Sequence, residues 1–518
     1  MKQFYFCVLF FFIWTEVQSG SFYRLTLTDK GNPPYSIDHP IDFLSQKSID
    51  RRSRQGYTVD ETDLPIDPTY LDALAKTGAK IQTYSKWVKT VVVEASDEYV
   101  LDQIRALPFV ARILKVGEMD LFFESSPENN PATSLDLSVA GNSANYGNAF
   151  TQITLNNAYP LHERGFKGSG MTIAILDGGF ADVDLHPDFF DLNRIIEVKN
   201  FTHEGGNPYR SGEWHGTAVL SCILANYSGE MIGTAPEAEF YLLKTEVVKT
   251  EYPVEEDYWI AGIEYADSVG VDIASTSLGY SVFDNPEMNH TWEDLDGYTI
   301  TCSRVASMAA SKGLLLFVSA GNEGDKNWQK VTPPGDAQNI LTVGAVKADS
   351  TQAYFSSWGT LTDERIKPDV MALGERAVVL GSYGTNFSNG TSFSTPILAG
   401  MGACLWGALP NLTNKEIMEL ILFSSDRFPN PDEHYGYGLP DLNRAYLKGS
   451  GATLLSDLYY ENDSPCELLI YSIVGRLISR QIIENGQIDL SSLPNGIYVI
   501  NIQSGNQRQV RKFIKHDH

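Results

Sequence analysis

Positive charge is scarce in this chain. Acidic residues outnumber basic ones 65 to 39 over 518 residues, for a net charge of -26. A field of that sign repels phosphate backbones and anionic lipid, which excludes nucleic acid as an expected partner. Cysteine is also sparse, at five residues. Cys7 lies in the leader described below, and four cysteines (Cys222, Cys302, Cys404, Cys466) are too few for a disulfide scaffold. Cys222, Cys302 and Cys404 lie in apolar, helix-like stretches and read as packed small hydrophobes. A Cys222–Cys404 bridge would require their two helices to be neighbours. Long apolar runs are missing as well. The run from Phe4 to Trp14 would cross only about half a hydrocarbon core as a helix. Preceded by Lys2 and followed by Val17-Gln18-Ser19, it reads as an export signal over residues 1–20. Disorder and collagen-like structure are excluded by 43% hydrophobic and 11% aromatic content.

What is present divides into zones. From Ser21 to Glu124, the pattern Thr90–Glu94 (strand), Asp97–Ala106 (helix) and Phe109–Val116 (strand) predicts a small α+β unit. Residues 125–150, crowded with Ser, Asn, Pro and Gly, read as a linker. Over residues 151–449, nearly continuous apolar runs predict strands covered on both faces: Met171–Leu176, Phe240–Leu243, Val271–Ser275, Leu314–Ser319 and Ile340–Val343. Helical stretches such as Tyr258–Ser268 and Cys302–Ala310 supply the crossovers, so an α/β domain with a mainly parallel sheet follows. Residues 450–518 turn to short β-rich runs and predict a small β-sandwich.

Three motifs in the α/β zone carry chemistry. Asp177 ends an apolar strand before two glycines, and a carboxylate placed there needs a cationic or hydrogen-bonding partner. His215 opens an apolar helix and is followed by Gly216. Ser392, in Asn389-Gly390-Thr391-Ser392-Phe393-Ser394-Thr395-Pro396, stands at a helix N-terminus. Each alone reads as a cap or bridging residue. Together they supply an orienting acid, a base and a nucleophile, in the order Asp, His, Ser. An α/β-hydrolase would instead run Ser, Asp/Glu, His and show Gly-x-Ser-x-Gly, where this chain has Ser394 in place of the second glycine.

These motifs resemble those of the subtilisin-type serine proteases, the subtilases, over about 300 residues. The resemblance implies a three-layer α/β/α domain and a triad of Asp177, His215 and Ser392. Val318-Ser319-Ala320-Gly321-Asn322-Glu323-Gly324 resembles the family's Ala-Gly-Asn segment. By that likeness Asn322 joins the Ser392 backbone N–H in holding the oxyanion. Ser275-Thr276-Ser277-Leu278-Gly279 resembles the substrate-binding strand, which makes Ser277, Leu278 and Gly279 peptide contacts. Gly321 and Glu323 join them, and Glu323 near the S1 pocket would favour a basic P1 residue. The insertion from Tyr280 to Tyr298 is placed along the cleft. His186-Pro187-Asp188 resembles a segment whose acid helps bind calcium, so Asp188 is the expected ligand of a structural ion.

The flanks carry resemblances of their own. Residues 21–124 are similar to the pro-regions of secreted subtilases of the Bacteroidota, a folding aid and temporary inhibitor. In residues 450–518, Leu468–Arg476, Leu493–Tyr498 and Arg511–Lys515 resemble a type IX secretion sorting domain, although the usual Pro-Asn-Pro-like opening is replaced by Glu461-Asn462-Asp463-Ser464-Pro465. The whole predicts a secreted or cell-surface serine endopeptidase that works through an acyl-enzyme, needs no cofactor for its chemistry, acts on peptides or proteins as a monomer, and engages the type IX machinery. Two other readings keep the same residues: a catalytically silent peptide-binding surface protein, and a peptide ligase.

Overall fold

The computed structural model describes residues 20–118, 145–450, 466–472, 475–483, 493, 496–504 and 507–515. The expected export signal, save Gly20, and residues 125–144 of the expected linker lie outside the described residues.

The N-terminal unit is a four-stranded antiparallel sheet with helices on it. Its elements are β1 (Ser21–Leu27), α1 (Gln46–Gln55), α2 (Pro68–Lys76), β2 (Lys80–Ser85), β3 (Thr90–Ala95), α3 (Glu98–Arg105) and β4 (Val110–Glu118), with sheet order β2-β3-β1-β4. The caps explain the helix starts. Asp67 accepts the Thr69 N–H at the head of α2, with Pro68 in the first turn, and Asp97 accepts the Val100 N–H at the head of α3. One face of the sheet buries Leu25, Val91, Val93, Leu101 and Ile104 in a core of its own.

The central domain is built on seven parallel strands: β5 (Thr172–Asp177), β6 (Ile195–Asn200), β7 (Glu239–Lys244), β8 (Ile273–Thr276), β9 (Leu315–Ser319), β10 (Leu341–Val346) and β11 (Val370–Leu373). Their order is β11-β10-β9-β8-β5-β7-β6, every neighbouring pair parallel. Five strands match the apolar runs of the sequence. The other two did not announce themselves. β6 is an edge strand that alternates Glu197 and Lys199 with Ile196 and Val198, and β11 is only four residues long. Helices cover both faces: the crossovers α4 (His215–Leu224), α5 (Val254–Val269) and α6 (Thr301–Ser311), and α7 (Thr391–Ala408), which follows the last strand of the sheet. α4 and α7 pack into one large apolar cluster beneath the sheet, and α5 and α6 into the second above it. This is the expected three-layer α/β/α arrangement. Asp441 accepts the Arg444 N–H and caps the helix Leu442–Gly449.

Among the described C-terminal residues, four strands, β12 (Cys466–Ser472), β13 (Leu477–Ile483), β14 (Gly496–Ser504) and β15 (Gln507–Lys515), form one antiparallel sheet in the order β13-β12-β14-β15. Cys222, Cys302 and Cys404 are buried and free, so Cys222 and Cys404 are not bridged. Burial raises the Cys222 and Cys404 thiols well above their usual range, which suits packed hydrophobes rather than nucleophiles.

The N-terminal unit docks on α5 through buried charge. Arg24 donates to Asp257 at 2.7 Å and to Glu256 at 3.0 Å. Arg51 and Arg52 share the carboxylate of Asp267, and Arg52 also binds Asp63. Glu264 accepts the N–H groups of Lys86 and Trp87 at 3.0 and 3.1 Å, together with the Ser85 hydroxyl. Phe22 and Val116 pack against Tyr252, Val254 and Tyr258 alongside.

Candidate active site

Asp177 is the last residue of β5, at the carboxyl edge of the sheet, where open α/β sheets bind ligands. It is fully buried. Its Oδ1 accepts the Gly178 N–H at 2.8 Å, and both oxygens lie against His215 Nδ1, at 2.9 and 3.0 Å. His215 is the first residue of α4, and the Glu213 carboxylate accepts its N–H at 3.1 Å. Gly216 makes this approach feasible. A Cβ there would lie 2.2 Å from the Gly179 carbonyl oxygen and 3.0 Å from Asp177 Cβ, so any side chain would drive α4 off the strand end. Burial opposes charge on the imidazole. The Asp177 carboxylate, through its field and its hydrogen bond, outweighs that and raises the His215 pKa to about 9.

Ser392 occupies the second position of α7 and is nearly buried. The Phe393 ring lies 6.0 Å from the His215 ring, which brings the two helix starts together. The Ser392 hydroxyl and His215 are not hydrogen-bonded to each other here, and such bonds commonly close only around substrate. Ser277 is the surprise among the predicted peptide contacts. Its hydroxyl donates to the Ser392 carbonyl at 2.8 Å, fixing the backbone that carries the nucleophile, a contact separate from the main-chain bonds expected to a peptide.

Asn322 is held in one orientation. Its Oδ1 accepts the Thr391 N–H at 2.9 Å and the Thr391 hydroxyl at 3.1 Å. A backbone donor on Oδ1 assigns the other amide atom as Nδ2, whose two hydrogens remain for an external acceptor. The Ser392 N–H, in the first turn of α7, has no intrahelical acceptor either. Two donors thus stand ready beside one hydroxyl. Thr391 went unnoticed in the sequence because Thr beside a helix start reads as an ordinary cap; its hydroxyl also accepts the Gly321 N–H at 3.2 Å.

The remaining predicted residues divide. The Leu278 carbonyl accepts from Ser319, and Gly279 lies so near Thr332 that a Cβ would approach its Oγ1 to 2.0 Å. Gly321 adopts φ +99° and its carbonyl accepts the Ser357 N–H, a conformation that favours glycine. Glu323 sits next to it, but its carboxylate pairs with Lys326 at 2.9 Å, a competitor for any basic P1 residue. In the 280–298 insertion, Tyr280, Phe283 and Leu295 are core residues, and the Tyr280 hydroxyl donates to Glu246 at 2.6 Å. Asp188 is exposed, and its neighbour Asp191 is engaged by Asn193 and Arg194.

Sequence spacing gave no hint of Lys244 and Glu246. The Lys244 ammonium, buried at the end of β7, donates to the Gly178 carbonyl at 2.8 Å and pairs with Glu204 at 3.2 Å. Glu246 lies beside Gly178, and burial together with repulsion from Asp177 raises its pKa.

Comparison with known proteins settles the lineage of this arrangement. A model described as the Subtilase family matches residues 168–438, over half of the chain. The chain belongs to the subtilase family. This subtilase also matches a Peptidase S8 propeptide domain of the Bacteroidota over residues 22–131 and a secretion system C-terminal sorting domain over residues 456–516. Subtilisin E of Bacillus subtilis is 29% identical over 379 residues, covering 72% of this chain and 85% of that protein. Subtilisin of Bacillus pumilus is 31% identical over 290 residues, covering 55% and 94%. Serine protease AprX of Bacillus subtilis is 30% identical over 304 residues, covering 52% and 65%. The subtilase is therefore a serine endopeptidase made with a propeptide and secreted or held at the cell surface. No helix among its described residues is long and apolar enough to cross a membrane.

Proposed function

We propose that this subtilase hydrolyses peptide bonds with Ser392 as nucleophile, His215 as base and acid, Asp177 as orienting carboxylate and Asn322 as oxyanion donor. The Asp177–His215 pair, set against the start of the helix that carries Ser392, is the observation that supports it. Ser392 Oγ adds to the scissile carbonyl carbon while its proton passes to His215 Nε2, since an unassisted hydroxyl is a poor nucleophile at neutral pH. The C–N bond then breaks and the leaving amine takes that proton. Water adds to the acyl-enzyme, giving its proton to His215, and the acid leaves as Ser392 recovers its hydrogen. Through both additions the negative oxygen would lie between Asn322 Nδ2 and the Ser392 N–H. Asp177 keeps Nδ1 protonated and Nε2 free, and stabilises the imidazolium.

The substrate is an extended peptide laid along Leu278 and Gly279, and the 450–518 region hands the protein to the type IX machinery. The unit over residues 21–124 is the inhibitory pro-region, and cleavage in the 125–150 linker frees the 151–449 catalytic domain. Labelling by a fluorophosphonate tests the reading. The mature protein should react rapidly at Ser392, and Ser392→Ala should lose both labelling and turnover while keeping its circular dichroism. Comparable hydrolysis by the Ala variant would refute the assignment.

A further inference from the structure

Between β7 and α5 the chain makes a tight passage whose carboxylates play no part in the triad. One oxygen each from Glu246, Glu251 and Glu255 lies within 4.8 Å of the others. Tyr280 and the Val247 N–H, the latter at 3.0 Å, hold one oxygen each of Glu246 and Glu255. Glu255 is 1% exposed, and its second oxygen, Oε2, is buried with no hydrogen-bond partner. A buried, unpartnered carboxylate oxygen costs far more than a solvated one, and three acids in one place add mutual repulsion. The Lys244 ammonium donates its hydrogen bonds to the Gly178 and Glu246 carbonyls and pairs with Glu204, so it attracts Glu246 without bonding to its carboxylate. Asp284 adds a fourth acid: its carboxylate accepts the Glu251 N–H at 3.0 Å.

We propose that Glu246, Glu251 and Glu255 form a calcium site that locks the segment from β7 to α5. The donor set is all oxygen, which suits a hard cation and not zinc or copper. Ligands 2.3–2.6 Å from a common ion can stand almost 5 Å apart, in keeping with the spacing here. The consequence is local and physical. The locked segment includes Tyr252 and leads into Val254, the residues on which Phe22 and Val116 of the N-terminal unit rest. At its other end it adjoins Gly178, next to the buried Asp177. An ion here would brace both the seat of the pro-region and the acid end of the triad.

The test uses the full chain carrying Ser392→Ala, so that autolysis cannot intervene, stripped with a chelator and dialysed against radioactive calcium. The added variants are Glu255→Gln, which keeps shape and removes charge, and Glu251→Gln at a less buried position. Each should bind one calcium fewer per chain than its parent, and the rise in melting temperature that calcium gives the parent should shrink. Unchanged stoichiometry in the folded variants would overturn the proposal. So would a parent that binds no calcium at about 10 mM, tenfold above the weakest affinity usual for extracellular modules. Because no step of hydrolysis is read, the outcome is separate from the fate of the triad assignment.

Discussion

Removing one buried carboxylate should loosen the whole N-terminal unit. Asp267 on α5 is 0% exposed and is shared by Arg51 and Arg52, each 1% exposed. In Asp267→Asn the shape is kept and the charge is gone. Arg52 still holds Asp63 at 2.7 and 3.0 Å, so it remains paired. Arg51 does not: its remaining hydrogen bonds go to the carbonyls of Val271 and Lys312. The loss is thus about one buried pair, with only the buried Asp272 carboxylate still attracting Arg51 from nearby, which costs up to about 3–5 kcal/mol. At about 1.4 kcal/mol per decade, local opening of α1 should become roughly 10²- to 4 × 10³-fold more frequent. Hydrogen exchange of the α1 amides in the full chain with Ser392→Ala reads that constant directly, while amides of β9 serve as the internal reference. Adding Arg51→Met should restore part of the protection by removing the orphan charge. Unchanged α1 exchange in a folded Asp267→Asn protein would refute the claim that this carboxylate anchors the unit.

Three further outcomes follow from the site. Asn322→Ala should lower kcat by about 10²- to 10³-fold with little change in KM, the size known for an oxyanion donor in a subtilisin; a kcat within threefold of the parent on a peptide anilide would remove Asn322 from the chemistry. Gly216→Ala should depress kcat/KM by about 10²-fold or more, because the added methyl group must displace His215 from Asp177; a crystal structure with the pair intact and activity retained would contradict this. The raised pKa of His215 fixes a direction with pH. Its protonated form is favoured by folding, so that stabilisation is complete below about 6.5 and fades as pH rises through about 9. The neutral base appears over the same window, so kcat/KM should climb from neutral toward pH 9, and a lower limb finished by pH 6 would count against it.

Much of the catalytic core was legible because its chemistry rests on local pattern. A strand buried on both faces must be apolar throughout, so β5, β7, β8, β9 and β10 stood out, and Asp177 was conspicuous as a charge at the end of one of them. Gly216 was visible as a missing side chain, although only the 2.2 Å approach of the Gly179 carbonyl explains why. β6 was hidden because an edge strand needs apolar residues on fewer sides. The bond from the Ser277 hydroxyl to the Ser392 carbonyl, 115 positions away, had no local sign in the sequence.

The order of residues thus determined which elements form and which groups are able to react, since strand burial, helix starts and glycine positions are written within a few neighbouring residues. Tertiary structure alone decided the pairings across distance. Arg51 meets Asp267 over 216 positions, and Asn322 meets Thr391 over 69, with no periodicity to announce either. The same holds for Tyr280 and Glu246, which come from different loops. Such contacts depend on which surfaces the packed sheet brings face to face, a property of the folded chain and not of any stretch within it.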